Sequence, residues 1–349
     1  PNAPRPQTKG LGGFGALEHS YSSFYYLPEM DYLPALQGMI QDVAGHEFLH
    51  ILTPLNIHSE EIEDFNFVKP TMSEHLWLYE GVTEYFAQLI QLRDGIIDED
   101  AFKNKMREKI VQADKFKPLS FTKMSTKVVK DKYQDHYLNV YQKGALIGFA
   151  LDLKLTELSK GKYGLRELML DLSAKYGPNK PFKDEELIDE IINITGYTEL
   201  RPFFKEYVYG KNRIPYQEYF TTIGWQYLAE ENSEGYSFGD FAIGFNPETK
   251  EFMFVEVKDN VFSIENQDIL YAIEGTQIDH DNLRELIGTH IFGKSNLEPV
   301  QLTVIRDGKE VSLNGTPKVS KQTRAHVIKV DENATDTQLK YRSFLFYGK

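Results

Sequence analysis

The chain contains no cysteine. Disulfides, thiol catalysis and cysteine-ligated zinc or iron–sulfur centres are excluded, so any metal must be held by the nine histidines and the carboxylates. Long apolar runs are lacking too: no stretch approaches the ~18 consecutive apolar residues of a membrane-spanning helix. Basic charge is scarce, with 39 Lys and Arg against 52 Asp and Glu and a formal net charge of −13. Without a concentrated basic face, a nucleic-acid partner is not expected. Internal repeats and low-complexity tracts are missing, and the start shows no secretory n-region or h-region. A chain without thiols suits either side of a bacterial inner membrane.

What is present is an ordinary globular composition. With 41% hydrophobic and 26% charged residues over 349 positions, the chain can build a large core and is long enough for two or three domains. Residues 1–10 are proline-rich and read as an extended entry segment. The glycine-dense stretch Gly10 to Ser20 runs into Tyr21–Leu27, an alternating, aromatic-rich strand whose glycines let another backbone come close. From Pro34 an apolar stripe (Leu36, Met39, Ile40, Val43, Phe48, Leu49) predicts a helix that Pro54 stops. Ser73 is the expected N-cap of a second helix, Glu74 to Arg93. Further helices are predicted over Glu99–Ala113, Asn139–Ser159, Leu165–Tyr176, Asp184–Ile194 and Thr198–Tyr209. Short β-rich runs follow from Phe238 to Leu313, interrupted by one helix over Asp281–Ile287, and the aromatic end Tyr341–Tyr347 reads as a strand. The expected organisation is α+β, with a mostly helical domain over 1–222, a small β-rich domain over 223–317 and a tail over 318–349.

The sharpest chemical signal is His46-Glu47-Phe48-Leu49-His50. On a helix, positions i and i+4 share one face a turn apart, so both imidazoles can bind one zinc ion. Glu47 lies beside that face, free to take a proton from water at the metal. A catalytic zinc needs a third protein ligand and an open fourth position. Without cysteine, a carboxylate from another helix is expected, and Glu80 in Leu76-Trp77-Leu78-Tyr79-Glu80-Gly81 fits that need.

These motifs together resemble a known family. His46–His50 followed by Trp77-Leu78-Tyr79-Glu80-Gly81 looks like the gluzincin pattern of aminopeptidases. Gly15-Ala16-Leu17-Glu18-His19 resembles the exopeptidase motif of that clan, and Tyr141-Gln142-Lys143-Gly144-Ala145 resembles its Tyr-x-Lys-Gly-Ala segment. The combination is similar to the glycyl aminopeptidase family of zinc metallopeptidases. Such proteins join an N-terminal β domain, a thermolysin-like catalytic domain and a PDZ domain, so the resemblance implies an N-terminally truncated chain. It further implies one zinc ion on His46, His50 and Glu80, with Glu47 as general base and then acid. Tyr141 would stabilise the oxyanion, and Glu18 would pair with the free α-amino group of a peptide substrate. Gly12, Gly13 and Gly15 would let substrate lie along an edge strand. Small first residues, Gly or Ala, would be preferred.

Weaker candidates surround this set. Glu84, one turn after Glu80, is placed to orient a ligand histidine or to be an exposed carboxylate. Asn56 and His58 follow the zinc helix closely, and His58 could reach the cleft but reads better as a loop histidine without ligand function; His19, beside Glu18, could line the cleft without an assigned role, and Lys143 reads as helix support. In the β-rich module, Phe241-Ala242-Ile243-Gly244-Phe245 resembles a PDZ carboxylate-binding loop and Asp268 to Gly275 a further PDZ segment. Ser263-Ile264-Glu265-Asn266-Gln267 departs from the usual Ala-Gly-Leu, which leaves a peptide ligand of this module and a purely structural role both open. A zinc endopeptidase and a non-catalytic peptide-binding scaffold are the alternative readings. The expected compartment is the bacterial periplasm or cell envelope, and the sequence carries no signal for an oligomeric state.

Overall fold

The computed structural model describes residues 15–28, 33–63, 65–66, 68–246 and 248–348. The fold is α+β, as the sequence patterning predicts. Two compact units emerge, one made of Pro1–Glu29, Gln37–Ala229 and Ala325–Lys349, the other of Met30–Leu36 and Glu230–Arg324. No helix among the described residues is long and apolar enough to cross a membrane.

In the first unit, β1 (Gly15–His19) and β2 (Ser22–Tyr26) form an antiparallel hairpin in which Glu18 faces Ser23. Helix α1 (Leu33–Leu49) carries the histidine motif. A π-helical turn, Trp77–Val82, leads directly into α2 (Thr83–Arg93). Helix α3 (Glu99–Ala113) begins where Asp98 accepts the Ala101 amide, a side-chain N-cap. Helix α4 (Asn139–Leu158) is nearly all buried over its last four turns, as its dense apolar run requires, and packs against both the π turn and α3. Helices α5 (Leu165–Lys175) and α6 (Leu187–Thr195) complete the layer around it. Trp77, Tyr85, Phe102, Phe149, Trp225 and Phe346 are among the largest side chains sealed in this core. β3 (Trp225–Ser237) and β10 (Lys318–Val330) pair with each other.

Two elements differ from expectation. Ser73 Oγ accepts the His75 amide at 3.1 Å, a cap-type bond, but the regular helix begins only farther on, at the π turn. The Ser73 hydroxyl donates to Asp184 Oδ1 at 2.7 Å, and the Glu74 amide donates to the same carboxylate. Asp184 thus ties down the segment just before the π turn with charge-assisted bonds. The expected strand Tyr341–Tyr347 is instead the end of helix α7 (Asp336–Tyr347), opened by a Thr335/Gln338 capping box. Leu345 and Phe346 are fully buried there. Burial of each is worth about 1.5–3 kcal/mol, more than the ~1 kcal/mol spread of strand propensity that favoured the other reading.

The second unit holds one sheet in the order β4 (Gly239–Asn246), β5 (Glu251–Asn260), β6 (Ile269–Ile273), β8 (Val300–Arg306), β9 (Lys309–Gly315), with β7 (Thr276–Gln277) off β6. Its core gathers Phe238, Phe254, Phe262, Leu270, Ile273, Val300, Leu302 and Val304 beside the short helix Leu283–Ile287. Phe241–Phe245 lies within the edge strand β4, hydrogen-bonded in register with β5, rather than in a loop.

Candidate metal centre

The 3.6-residue period of α1 stacks His46 and His50 one turn apart, with ring centroids 4.7 Å from each other. Both rings are buried. Each turns its Nδ1 outward to an acceptor, His50 to the Thr53 carbonyl at 2.8 Å and His46 to Glu84 Oε2 at 3.0 Å. A carbonyl can only accept, so His50 Nδ1 carries the proton and its Nε2 lone pair is free. Glu80 Oε2 then sits 3.2 Å from His46 Nε2 and 3.7 Å from His50 Nε2. Donors at ~2.0–2.1 Å from a tetrahedral ion lie ~3.3 Å from one another, so these separations suit one divalent ion. His46, His50 and Glu80 are indeed one of two donor groups among the described residues close enough to share a cation.

The electrostatics of the protein atoms alone already call for a cation. Burial would lower the His46 pKa, but hydrogen bonds and charge from Glu80 and Glu84 override it and push it up to about 10. Burial raises the Glu80 carboxyl, and the two histidines more than reverse that, holding it below the usual range. Glu84 is likewise opposed by burial, yet the Lys109 ammonium and His46 bring it down to about 2. Two ionised carboxylates thus converge on one imidazole, and a proton there occupies the place of a positive ion.

The π turn is what puts Glu80 there. It widens the helix by one residue per turn just where the carboxylate must face α1. Its next residue, Gly81, meets Gly144 of α4 backbone to backbone: a Cβ on Gly81 would stand 2.4 Å from the Gly144 carbonyl carbon. Only two glycines permit that approach. The same contact positions Tyr141, about one turn before Gly144, whose ring lies 5.5 Å from that of His46. The Tyr141 hydroxyl is 3.0 Å from that of Tyr137. Burial drives the Tyr141 phenol well above its ordinary pKa, so it stays a proton donor at neutral pH.

Glu47 is 8% exposed, and its Oε2 is buried without a hydrogen-bond partner. Burial raises its pKa against the pull of His50 and His46. A carboxyl oxygen with no partner among the described residues, next to a candidate cation site, is placed to hold water or a proton. The half-buried Glu18 of β1 forms the second donor group, together with Glu47 and His50. Gly15 opens the same strand, with nothing within 4 Å of where its Cβ would be. Gly12 and Gly13 lie outside the described residues.

Glu84, left open between two roles by the sequence, holds His46. Other candidates are drawn elsewhere: Asn56 donates to Ser173, His58 Nδ1 meets the Pro54 carbonyl, and His19 is exposed. Lys109 was not singled out by the sequence. Its ammonium contacts Glu84 Oε1 at 2.5 Å from within the buried face Phe102, Met106, Ile110 of α3. A lysine at a core position of an apolar stripe was the available signal.

Residues 39–147 match the family model described as M61 glycyl aminopeptidase. No curated protein matches the chain. Among solved structures, the crystal structure of an aminopeptidase N family protein from Idiomarina loihiensis is similar, with a TM-score of 0.58, 20% identity and 94% of this chain covered. At that identity the likeness is one of fold. The chain spans 60% of that protein's length.

Proposed function

We propose, from the match of residues 39–147 to the M61 glycyl aminopeptidase model, that the chain is a zinc-dependent aminopeptidase. It would release the first residue, small and of the Gly or Ala kind, from peptides with a free amino terminus. The observation that carries this reading is the convergence of the His46 and His50 Nε2 atoms and the Glu80 carboxylate within ligating distance of one another.

His46, His50 and Glu80 would hold the ion, which when bound supplies Lewis acidity toward the scissile carbonyl and acidifies water. Glu47, with its free Oε2, takes the proton from the attacking water and returns it to the leaving amine. The Tyr141 hydroxyl donates to the developing oxyanion, a task that its raised pKa suits. Glu18 pairs with the substrate ammonium and leaves internal peptides, which have none, without a partner. Glu84, braced by Lys109, fixes the His46 ring. In the second unit the outer edge of β4 could receive an extended peptide by strand addition, consistent with a PDZ-like role.

Glu47→Gln should keep its metal and lose about 10²–10⁴-fold in turnover of a glycyl or alanyl reporter. Undiminished turnover would remove Glu47 from the reaction. Cleavage of an N-acetylated peptide as fast as the free one would replace the aminopeptidase reading by an endopeptidase.

A further inference from the structure

The chain is acidic overall, and no run of its sequence is basic, yet the fold gathers a basic recess from three distant segments. Residues 113–119, the start of α4 and residues 211–216 enclose a cavity of ≈ 40 Å³. Lys117, Lys143, Lys211 and Arg213 line it, against one carboxylate, Asp114, which Arg213 engages at 2.9 Å. Lys117, Lys211 and Arg213 are exposed at its mouth, while Lys143 reaches inward with, among the described residues, only the Leu119 carbonyl, at 3.4 Å, to accept from it. Burial without an acidic partner pushes the Lys143 pKa down to about 8.

Asn139 supplies the second observation. It is 6% exposed and lines the same cavity, and its Oδ1 is buried without a hydrogen-bond partner. It sits four residues before Lys143, so an acceptor lacking a donor and an ammonium short of acceptors share one face of α4. A space of this size holds roughly three waters, each needing ~10–15 Å³, or one tetrahedral oxyanion.

We propose that this recess binds a small oxyanion that retains an O–H, namely inorganic phosphate in its hydrogen-phosphate form. The anion O–H donates to Asn139 Oδ1, its oxygens accept from Lys143, and Lys117, Lys211 and Arg213 supply the field that draws it in. Sulfate and chloride carry no O–H at neutral pH and leave Asn139 unsatisfied. The site is separate from the metal centre. Helix geometry puts residues 139 and 143 on the side of α4 away from Tyr141, about 160° around the axis.

The test is calorimetric titration of the full chain with inorganic phosphate, sulfate or chloride at fixed ionic strength. One saturable phosphate site is expected, with sulfate at least several-fold weaker. Lys143→Met should weaken phosphate about tenfold or more and the exposed Lys211→Gln about threefold, both unchanged by prior chelation of metal. Absence of phosphate binding, equal affinity for sulfate, or binding indifferent to both variants would overturn the proposal. Phosphate binding abolished by a chelator but insensitive to Lys211→Gln would assign it to the metal centre instead.

Discussion

His46 shows how a single side chain can carry the state of the whole centre. In the metal-free chain its folded pKa, about 10, lies above the ordinary 6.5, so its contribution to stability is complete below pH ~6.5 and disappears as pH rises through 10. Glu84 runs the other way: drawn from 4.5 down to about 2, it contributes fully above pH ~4.5 and is lost as pH falls through 2. Thermal melts of metal-free wild type, referenced to a metal-free His46→Phe variant to cancel other titrations, should show an advantage greatest near pH 5–6.5 that fades toward pH 10. A flat difference over that range would refute the assignment. Because the metal displaces this proton, its affinity should rise with pH over the same interval. Glu84→Gln, which removes the charge that orients the ring, should weaken metal binding about 10–100-fold in competition with a chelating dye. Tyr141→Phe should keep the metal and cut kcat about 10²–10³-fold with KM little changed; an equal rise in KM would mean that the hydroxyl binds ground state and transition state alike.

At the scale of elements, α1 was legible because a five-residue motif at helical spacing sets two imidazoles on one face by local geometry alone. The π turn was not. Nothing in Trp77–Val82 announces a widened turn, and the segment just before it is anchored by Asp184, more than a hundred residues away, through Ser73 and the Glu74 amide. The role of Gly81 and Gly144 was equally hidden, since each glycine makes sense only against the other. Helix α7 was misread because an aromatic cluster looks like a strand until the residues that bury Leu345 and Phe346 are known. The Gly81–Gly144 contact makes a firm prediction. Gly144→Ala places a Cβ 2.8 Å from the Gly81 Cα, and overpacking of this kind costs about 1–3 kcal/mol. The denaturation midpoint should fall accordingly, and because the displaced turn carries Glu80, metal affinity should fall with it. Alanine at Gly95, with open space but a φ of +71°, should lower the midpoint without touching metal affinity.

Over the whole molecule, the sequence foretold the α+β class and most helix and strand positions. Composition could not foretell that an acidic chain would assemble a basic recess, because charge placement in space depends on which segments the fold brings together. Nor could it weigh Lys109, whose importance rests on its contact with Glu84. Binding of an ion to the folded state alone should stabilise the chain by mass action: at about 100 times the Kd, roughly 2.7 kcal/mol, or roughly 5–10 °C in the melt of a unit of this size. The most direct check of the centre is metal content by mass spectrometry after equilibrium dialysis against zinc, for wild type, Glu47→Gln and Glu80→Gln. One ion per chain is predicted for wild type and Glu47→Gln, and far less than one for Glu80→Gln at the same free zinc. A full complement of zinc bound as tightly by Glu80→Gln as by wild type would contradict it.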